Sequence, residues 1–145
     1  MTPVLCAAVL HSALILAGTD TAGAETYAEA HRSTIETGKP LVVMVGTNWC
    51  QPCQTMKRTV LPWLRKRGCF KKIAFALVNP DRDGKLAEEL TGGGPVPQLV
   101  MFRKTSKGWM RRKLVGGQSE EAVERFINEG IAADQAEKNA AGDQT

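Results

Sequence analysis

The sequence is poor in several features that would define a specialised class of protein. It has four cysteines in 145 residues, well below the roughly 8% that is typical of a small disulfide-stapled scaffold. It contains no internal repeat, and its aromatic content is only 6%. The apolar run from Val4 to Ala17 is too short to span a bilayer about 30 Å thick. With 43% hydrophobic and 23% charged residues, the chain has the composition of one globular domain held together by its own core.

The two ends of the chain differ from its middle. The apolar run is followed by Ala22-Gly23-Ala24, which is typical of a secretory signal peptide cleaved after Ala24. No Lys or Arg precedes the run, so a buried N-terminal helix is the alternative interpretation. Residues 134–145 are polar and without periodicity, which predicts a disordered tail. We therefore predict a signal peptide at 1–24, a folded domain at 25–133 and a tail at 134–145, in a periplasmic or secreted protein.

Hydrophobic periodicity predicts a mixed α/β domain between these ends. Two apolar segments, Leu41 to Val45 and Ile73 to Val78, are typical of buried parallel strands joined through a helix. Pro62 is expected to kink or end that helix. Two further strands flank Thr105 to Gly108, a turn signal that predicts an antiparallel hairpin. Other helices are expected to begin after the N-capping residues Thr26, Asp83 and Ser119. The expected architecture is a central mixed sheet of about four strands flanked by helices.

Two short motifs stand beside the predicted strands. Trp49-Cys50-Gln51-Pro52-Cys53 follows the end of the first strand after three intervening residues, and Val96-Pro97 directly precedes the third. With these motifs and this order of elements, the chain resembles the thioredoxin-like thiol–disulfide oxidoreductases from about Tyr27 to Ile131. The segment from Met56 to Pro62 is more similar to exported reductase domains of this fold than to cytosolic thioredoxin. The resemblance implies a thioredoxin-like fold and a redox-active cysteine pair. We expect no cofactor and no bound metal.

The spacing of the pair indicates a division of roles. A cysteine that opens a helix faces unpaired N–H groups and the positive end of the helix dipole, which can lower a thiol pKa to about 3.5 to 7.5. Cys50 is therefore the predicted nucleophile. Cys53, one turn later, is the predicted resolving thiol that attacks the mixed disulfide. Pro52 fixes the first turn of the helix, and we expect Trp49 to shield the pair and offer the substrate a flat apolar contact.

Further expectations concern the groups around the pair. The resemblance implies a cis peptide bond before Pro97, which would place the backbone of Val96 beside Cys50 to pair with an extended substrate. Many thioredoxins carry a buried acid six residues before the first cysteine, whereas this chain has Met44. The proton of Cys53 must then be taken by water, by another element or by the substrate thiolate. Lys57 could bias thiolate electrostatics, or it could be an ordinary solvated lysine.

Other interpretations of the cysteines stay open. A structural zinc site needs four N or S ligands, and only Cys69 and His31 could add to the pair. The pair could also be an inert structural disulfide. Cys69 is expected to be a buried apolar thiol, with a third redox cysteine as the alternative, and His31 a surface or half-buried residue.

Basic residues are concentrated in two segments of a chain with a net charge of +4. Seven lie between Gln54 and Lys72, where there is no acid, and six lie between Arg103 and Lys113. No nucleic-acid-binding motif accompanies them, so we expect a solvated basic face and no nucleic-acid partner.

The main hypothesis is an exported, monomeric thiol–disulfide oxidoreductase that exchanges disulfides with polypeptides through Cys50 and Cys53. It would need an unidentified protein as electron donor or acceptor. Its direction, as reductase, oxidase or isomerase, stays open because a redox potential cannot be deduced from residue types. The alternative is a redox-inactive binding module of the same fold, with a structural disulfide and a basic face that docks an acidic partner or an anionic membrane.

Overall fold

The computed structural model describes residues 24–143, which form a four-stranded sheet flanked by helices. The elements follow one another as α1 (Tyr27–Thr37), β1 (Leu41–Val45), α2 (Gln51–Thr55), a π-helical turn (Met56–Val60), α3 (Leu61–Lys66), a 3-10 turn (Cys69–Lys71), β2 (Ala74–Val78), α4 (Gly84–Thr91), β3 (Gln98–Thr105), β4 (Gly108–Val115) and α5 (Glu120–Gly142). The strand order is β2-β1-β3-β4. β1 pairs in parallel with β2, and the other two pairings are antiparallel. The expected mixed sheet is confirmed.

The predicted signal peptide lies outside the described residues, apart from Ala24 at its end. Within residues 24–143, no helix has both the length and the apolar character needed to cross a membrane.

β1 occupies the middle of the sheet because both of its faces are apolar. All five of its residues are buried. Val42 and Met44 pack into one core cluster with residues of α3 and α5, whereas Leu41, Val43 and Val45 pack into a second cluster with residues of α1 and α4. Each such side chain contributes about 1.5–3 kcal/mol when fully buried. The two layers of helices therefore hold β1 from both sides.

The register of the sheet brings three loops together at the carboxyl end of β1. Val45, the last residue of β1, pairs with Val78 at the end of β2 and with Gln98 at the start of β3. The CxxC segment, the loop after β2 and the proline loop before β3 therefore meet at this edge of the sheet.

Two of the three predicted helix caps form as expected. At α1, the N–H of Glu29 donates to Thr26 Oγ1 at 3.3 Å and the N–H of Thr26 donates to Glu29 Oε2 at 2.8 Å, which is a complete capping box. At α5, the N–H of Ala122 donates to Ser119 Oγ at 3.2 Å. Asp83 occupies the N-cap position of α4, but its side chain makes no capping bond.

Pro62 does not end the helical segment that follows the cysteines, which continues beyond it to Lys66. Proline has no N–H to donate to the carbonyl of residue 58, and its ring needs room at that carbonyl. The backbone widens just before it, where the N–H of Leu61 donates to the carbonyl of Met56 in a π-type bond, and α3 then continues to Lys66. The helix therefore accommodates the proline by one wide turn.

The prediction of a disordered tail at 134–145 is wrong for the part that the structure describes. α5 continues to Gly142, and Asp134 is only 7% exposed. Lys138 donates to Asp134 Oδ2 at 2.7 Å and to the carbonyl of Gly38 at 3.0 Å, at the end of α1. The contact between Lys138 and Gly38 joins residues 100 positions apart, so the local composition could not indicate it.

Candidate active site

The two cysteines of the CxxC motif are joined in a disulfide at the start of α2. Cys50 is the N-cap residue, and its Sγ accepts a hydrogen bond from the N–H of Cys53 at 3.3 Å. Cys50 is 6% exposed and Cys53 is fully buried. An attacking group from solvent would therefore meet the sulfur of Cys50, and the same backbone N–H would stabilise a thiolate on Cys50 after reduction.

A groove of about 600 Å³ runs past Cys50. Its lining residues come from the three loops at the end of β1: Thr47, Trp49, Cys50, Gln51, Pro52, Pro80, Asp81, Gly94, Pro95 and Val96. The Val96–Pro97 peptide bond is cis, as the resemblance implied. The carbonyl oxygen of Val96 lies 3.7 Å from Cys50 Sγ. The groove thus offers a polypeptide an apolar surface beside the disulfide, with main-chain groups of the proline loop next to the sulfur.

Trp49 lies at the rim of this groove. Its side chain is 75% exposed, and its indole N–H donates to Asp81 Oδ2 at 3.1 Å. Asp81 is itself held by its own N–H, which donates to Asn79 Oδ1 at 2.9 Å. That Trp49 shields the pair stays a prediction, and its position beside Cys50 suits a flat contact to a substrate.

Sequence reasoning missed Asp81 and its neighbour Pro80. A signal was present, because Asn79-Pro80-Asp81 directly follows the second parallel strand. The carboxyl ends of parallel strands meet at one edge of a sheet, where ligand sites of α/β folds lie.

A second cavity, which we call the inner cavity, has a volume of about 350 Å³ and is lined by residues from the ends of β1 and β2, the loops that follow them, and Lys57. Met44, at the position where many thioredoxins have an acid, is fully buried at its wall. Lys57 is half-buried and also lines it, and burial lowers the pKa of this lysine. No carboxylate on β1 takes the place of the missing acid.

Cys69 is a free, buried thiol in the 3-10 turn that follows α3, and it is 5% exposed. Burial raises the pKa of this thiol, and the carboxylate of Glu124, whose Oε1 lies 3.9 Å from the sulfur, raises it further. Both effects favour the protonated, unreactive form.

The zinc interpretation finds no support among the described residues. Between residues 24 and 143, no three His, Cys, Asp or Glu side chains lie close enough together to hold a metal ion. His31 instead lies between the rings of Tyr27 and Trp109, with centroid distances of 5.8 and 6.3 Å.

Several basic side chains of β4 are engaged within the domain rather than free in solvent. Arg111 donates to the carbonyl of Leu90 at 3.3 Å and Lys113 to that of Thr91 at 3.0 Å, at the C-terminal end of α4. Cations at this end of a helix satisfy unpaired carbonyls and interact favourably with the helix dipole. Arg112 pairs with Glu129 at 3.0 Å. This part of the expected solvated basic face is thus structural.

Comparison with known proteins points to one family. A family model described as thioredoxin-like matches residues 22–104, which is more than half of the chain. Among curated protein sequences, none matches.

Solved structures share the fold at low sequence identity. A thioredoxin from Thermus thermophilus is 18% identical, with a TM-score of 0.66 over 77% of this chain and 88% of its own. A thioredoxin from Trichomonas vaginalis is 21% identical, with a TM-score of 0.56 over 73% and 92%. A structure concerned with the thiol resolving mechanism of yeast mitochondrial 1-Cys peroxiredoxin is 22% identical, with a TM-score of 0.53 over 68% and 86%. These matches establish a common fold.

Proposed function

The chain belongs to the thioredoxin-like family, and on that premise we propose that it is an exported thiol–disulfide oxidoreductase acting on polypeptides through Cys50 and Cys53. The observation that carries this proposal is the environment of Cys50. Its sulfur accepts the backbone N–H of Cys53 at 3.3 Å and lies at the edge of an open apolar groove, while Cys53 is buried behind it. An inert disulfide needs neither the groove nor the difference in exposure.

The proposed reaction proceeds in two exchange steps. In the reduced protein, the Cys50 thiolate attacks a substrate disulfide, whose S–S bond breaks to release one substrate thiolate and leave a Cys50–substrate disulfide. Cys53 then loses its proton and attacks the sulfur of Cys50. The Cys50–Cys53 bond forms, the second substrate thiolate leaves, and two electrons have moved from the protein to the substrate. The reverse sequence oxidises a dithiol substrate.

Trp49 and the proline loop have the substrate-binding roles in this proposal. The indole of Trp49 is held at the rim by Asp81, so it offers a fixed apolar contact at little further cost in side-chain entropy. The backbone of Val96 would pair with an extended segment of the substrate, while Pro52 and Pro97 keep the two sides of the groove in place. The partner that supplies or removes electrons is a second thiol or disulfide protein.

Export is the part of the proposal that depends on residues 1–24. Cleavage after Ala24 would leave Glu25 first, and Glu25 is paired with β2 through its N–H, which donates to the carbonyl of Phe75 at 3.2 Å. The cleaved chain would thus begin at a residue that is paired with the sheet. N-terminal sequencing of the exported protein should give Glu25, and a full-length protein retained in the cytoplasm would contradict export.

A trapping experiment tests the exchange activity. Cys53→Ser removes the resolving thiol, so Cys50 should accumulate in a covalent adduct with a disulfide-containing protein, and dithiothreitol should release it. Cys50→Ser is the matched control and should give no adduct at the active site. If Cys53→Ser forms no adduct with several unrelated protein disulfides, the chain is instead a binding module with a structural disulfide.

A further inference from the structure

Gly46 is in contact with Cys53 and also lines the inner cavity. A side-chain Cβ on Gly46 would lie 2.9 Å from Cys53 Sγ, so the sulfur packs directly against the backbone of this residue. The backbone of Gly46 is therefore shared by the wall of the inner cavity and the packing of the buried sulfur.

Lys57 is the basic side chain that the helix directs toward Cys53 and the inner cavity. It follows Cys53 by four residues, and residues at this spacing lie on one face of a helix. Long helical side chains point back toward the N-terminal end, which places the stem of Lys57 over the turn that contains Cys53. Lys57 lies in the π-helical turn that accommodates Pro62.

The ammonium of Lys57 makes no ion pair or side-chain hydrogen bond with any residue between 24 and 143 in the oxidised protein. Two other charged residues line the inner cavity, Arg82 and Asp83 from the loop before α4, and both are exposed. A half-buried cation without a partner is costly unless an anion forms nearby.

We propose that the Lys57 ammonium is the counter-charge of the Cys53 thiolate and thereby assists the resolving step that ends each exchange. This inference rests on the proposed function and names the group that replaces the absent acid. The Cys53 proton passes to solvent through the inner cavity, and the thiolate that remains attacks the Cys50–substrate disulfide. The Cys50–Cys53 bond forms, and the departing substrate thiolate takes a proton from solvent. Lys57 acts through Cys53 and is a positioning residue, not a catalytic one.

Titration of Cys53 tests the proposal directly. In a Cys50→Ser background, the carbon-13 shift of the Cys53 β-carbon reports thiolate formation at this site as a function of pH. Lys57→Met should raise the midpoint by about one pH unit, a tenfold change in the acid constant. Lys57→Arg keeps the positive charge, so the midpoint of Cys53 in this variant should stay close to the value measured with Lys57 in place. Arg58→Met is the matched control, because it removes the same charge from the next, exposed residue of the helix and should leave the midpoint unchanged.

The outcomes separate this inference from the proposed function. Equal midpoints in Lys57→Met and Arg58→Met would overturn the role of Lys57, even with normal exchange activity. So would a larger shift in Asp83→Asn than in Lys57→Met. If the protein exchanges disulfides, and if the pH profile of the resolving step shifts in Lys57→Met but not in Arg58→Met, the results support both the proposed function and the role of Lys57. Absence of exchange in the unaltered protein would refute the proposed function alone, since the titration does not need a substrate. Lys57→Gln gives the same test if Lys57→Met does not fold.

Discussion

Replacing Gly46 by alanine should destabilise the oxidised protein more than the reduced protein. The new methyl group would lie 2.9 Å from the sulfur and 3.2 Å from the β-carbon of Cys53, whereas carbon atoms in favourable contact are about 3.5–4.0 Å apart. The backbone cannot retreat easily, because the N–H of Gly46 donates to the carbonyl of Val78 at 3.0 Å. Overpacking of this kind typically costs about 1–3 kcal/mol.

The free-energy cost of this steric overlap should be larger in the oxidised protein than in the reduced protein. In the disulfide, the sulfur of Cys53 is held in place by its bond to Cys50, whereas in the dithiol its side chain can rotate away from the new methyl group. If about 1.4 kcal/mol of the cost is confined to the oxidised state, the reduction potential rises by about 30 mV. The oxidised protein should also melt at a lower temperature than the wild type, and the reduced protein should melt closer to its own wild-type value.

Equilibration with a glutathione series, read out by trapping free thiols, measures the potential. Gly84→Ala is the matched control, because a Cβ at Gly84 meets nothing within 4 Å, and it should leave the potential unchanged. A Gly46→Ala protein with wild-type potential and wild-type oxidised stability would show that the sulfur of Cys53 is not confined against the end of β1.

Three further predictions concern single contacts. Trp49→Phe removes the hydrogen bond to Asp81 but little buried surface, so the free energy of unfolding should stay within about 0.5 kcal/mol of wild type. Exchange with a protein disulfide should slow several-fold in this variant. Equal exchange rates would contradict the place of Trp49 in the substrate groove. Lys113→Met removes the donor to the carbonyl of Thr91 and should cost about 0.5–1.5 kcal/mol in urea unfolding, whereas a solvated lysine would cost nothing measurable. Burial raises the pKa of the Cys69 thiol in the folded protein. Above about pH 8.5 the unfolded chain therefore releases this proton while the folded chain keeps it. The free energy of unfolding should fall as pH rises through this range. Cys69→Ala should remove this part of the decline, and parallel curves for the two proteins would show that the thiol does not contribute.

Features that depend on local sequence pattern were predictable. The continuous apolar run of β1 indicates a strand buried on both faces, and the turn at Thr105 to Gly108 indicates the hairpin, so the sheet follows from short segments. The cysteine pair could be placed because the motif stands between a buried strand and an amphipathic helix. The cis bond before Pro97 needed the resemblance to a known family, since composition alone favours trans.

Features that depend on contacts between distant segments were not predictable. Asp81 belongs to the groove only because β1 and β2 end at the same edge of the sheet. Lys138, near the end of α5, donates to the carbonyl of Gly38, and Lys113 donates to the carbonyl of Thr91 because β4 passes the end of α4. A surface lysine and a lysine that completes a helix end have the same sequence signature. Their roles become visible only in the folded chain.

The reactivity of Cys50 tests the central claim most directly. In the reduced protein, the rate of alkylation at Cys50 should be measured as a function of pH by mass spectrometry, with buried Cys69 as the internal comparison. If the N–H groups at the start of α2 stabilise a thiolate, the rate should be half-maximal below about pH 7.5. A half-maximal rate near pH 8.5, as for an ordinary free cysteine, would contradict the account.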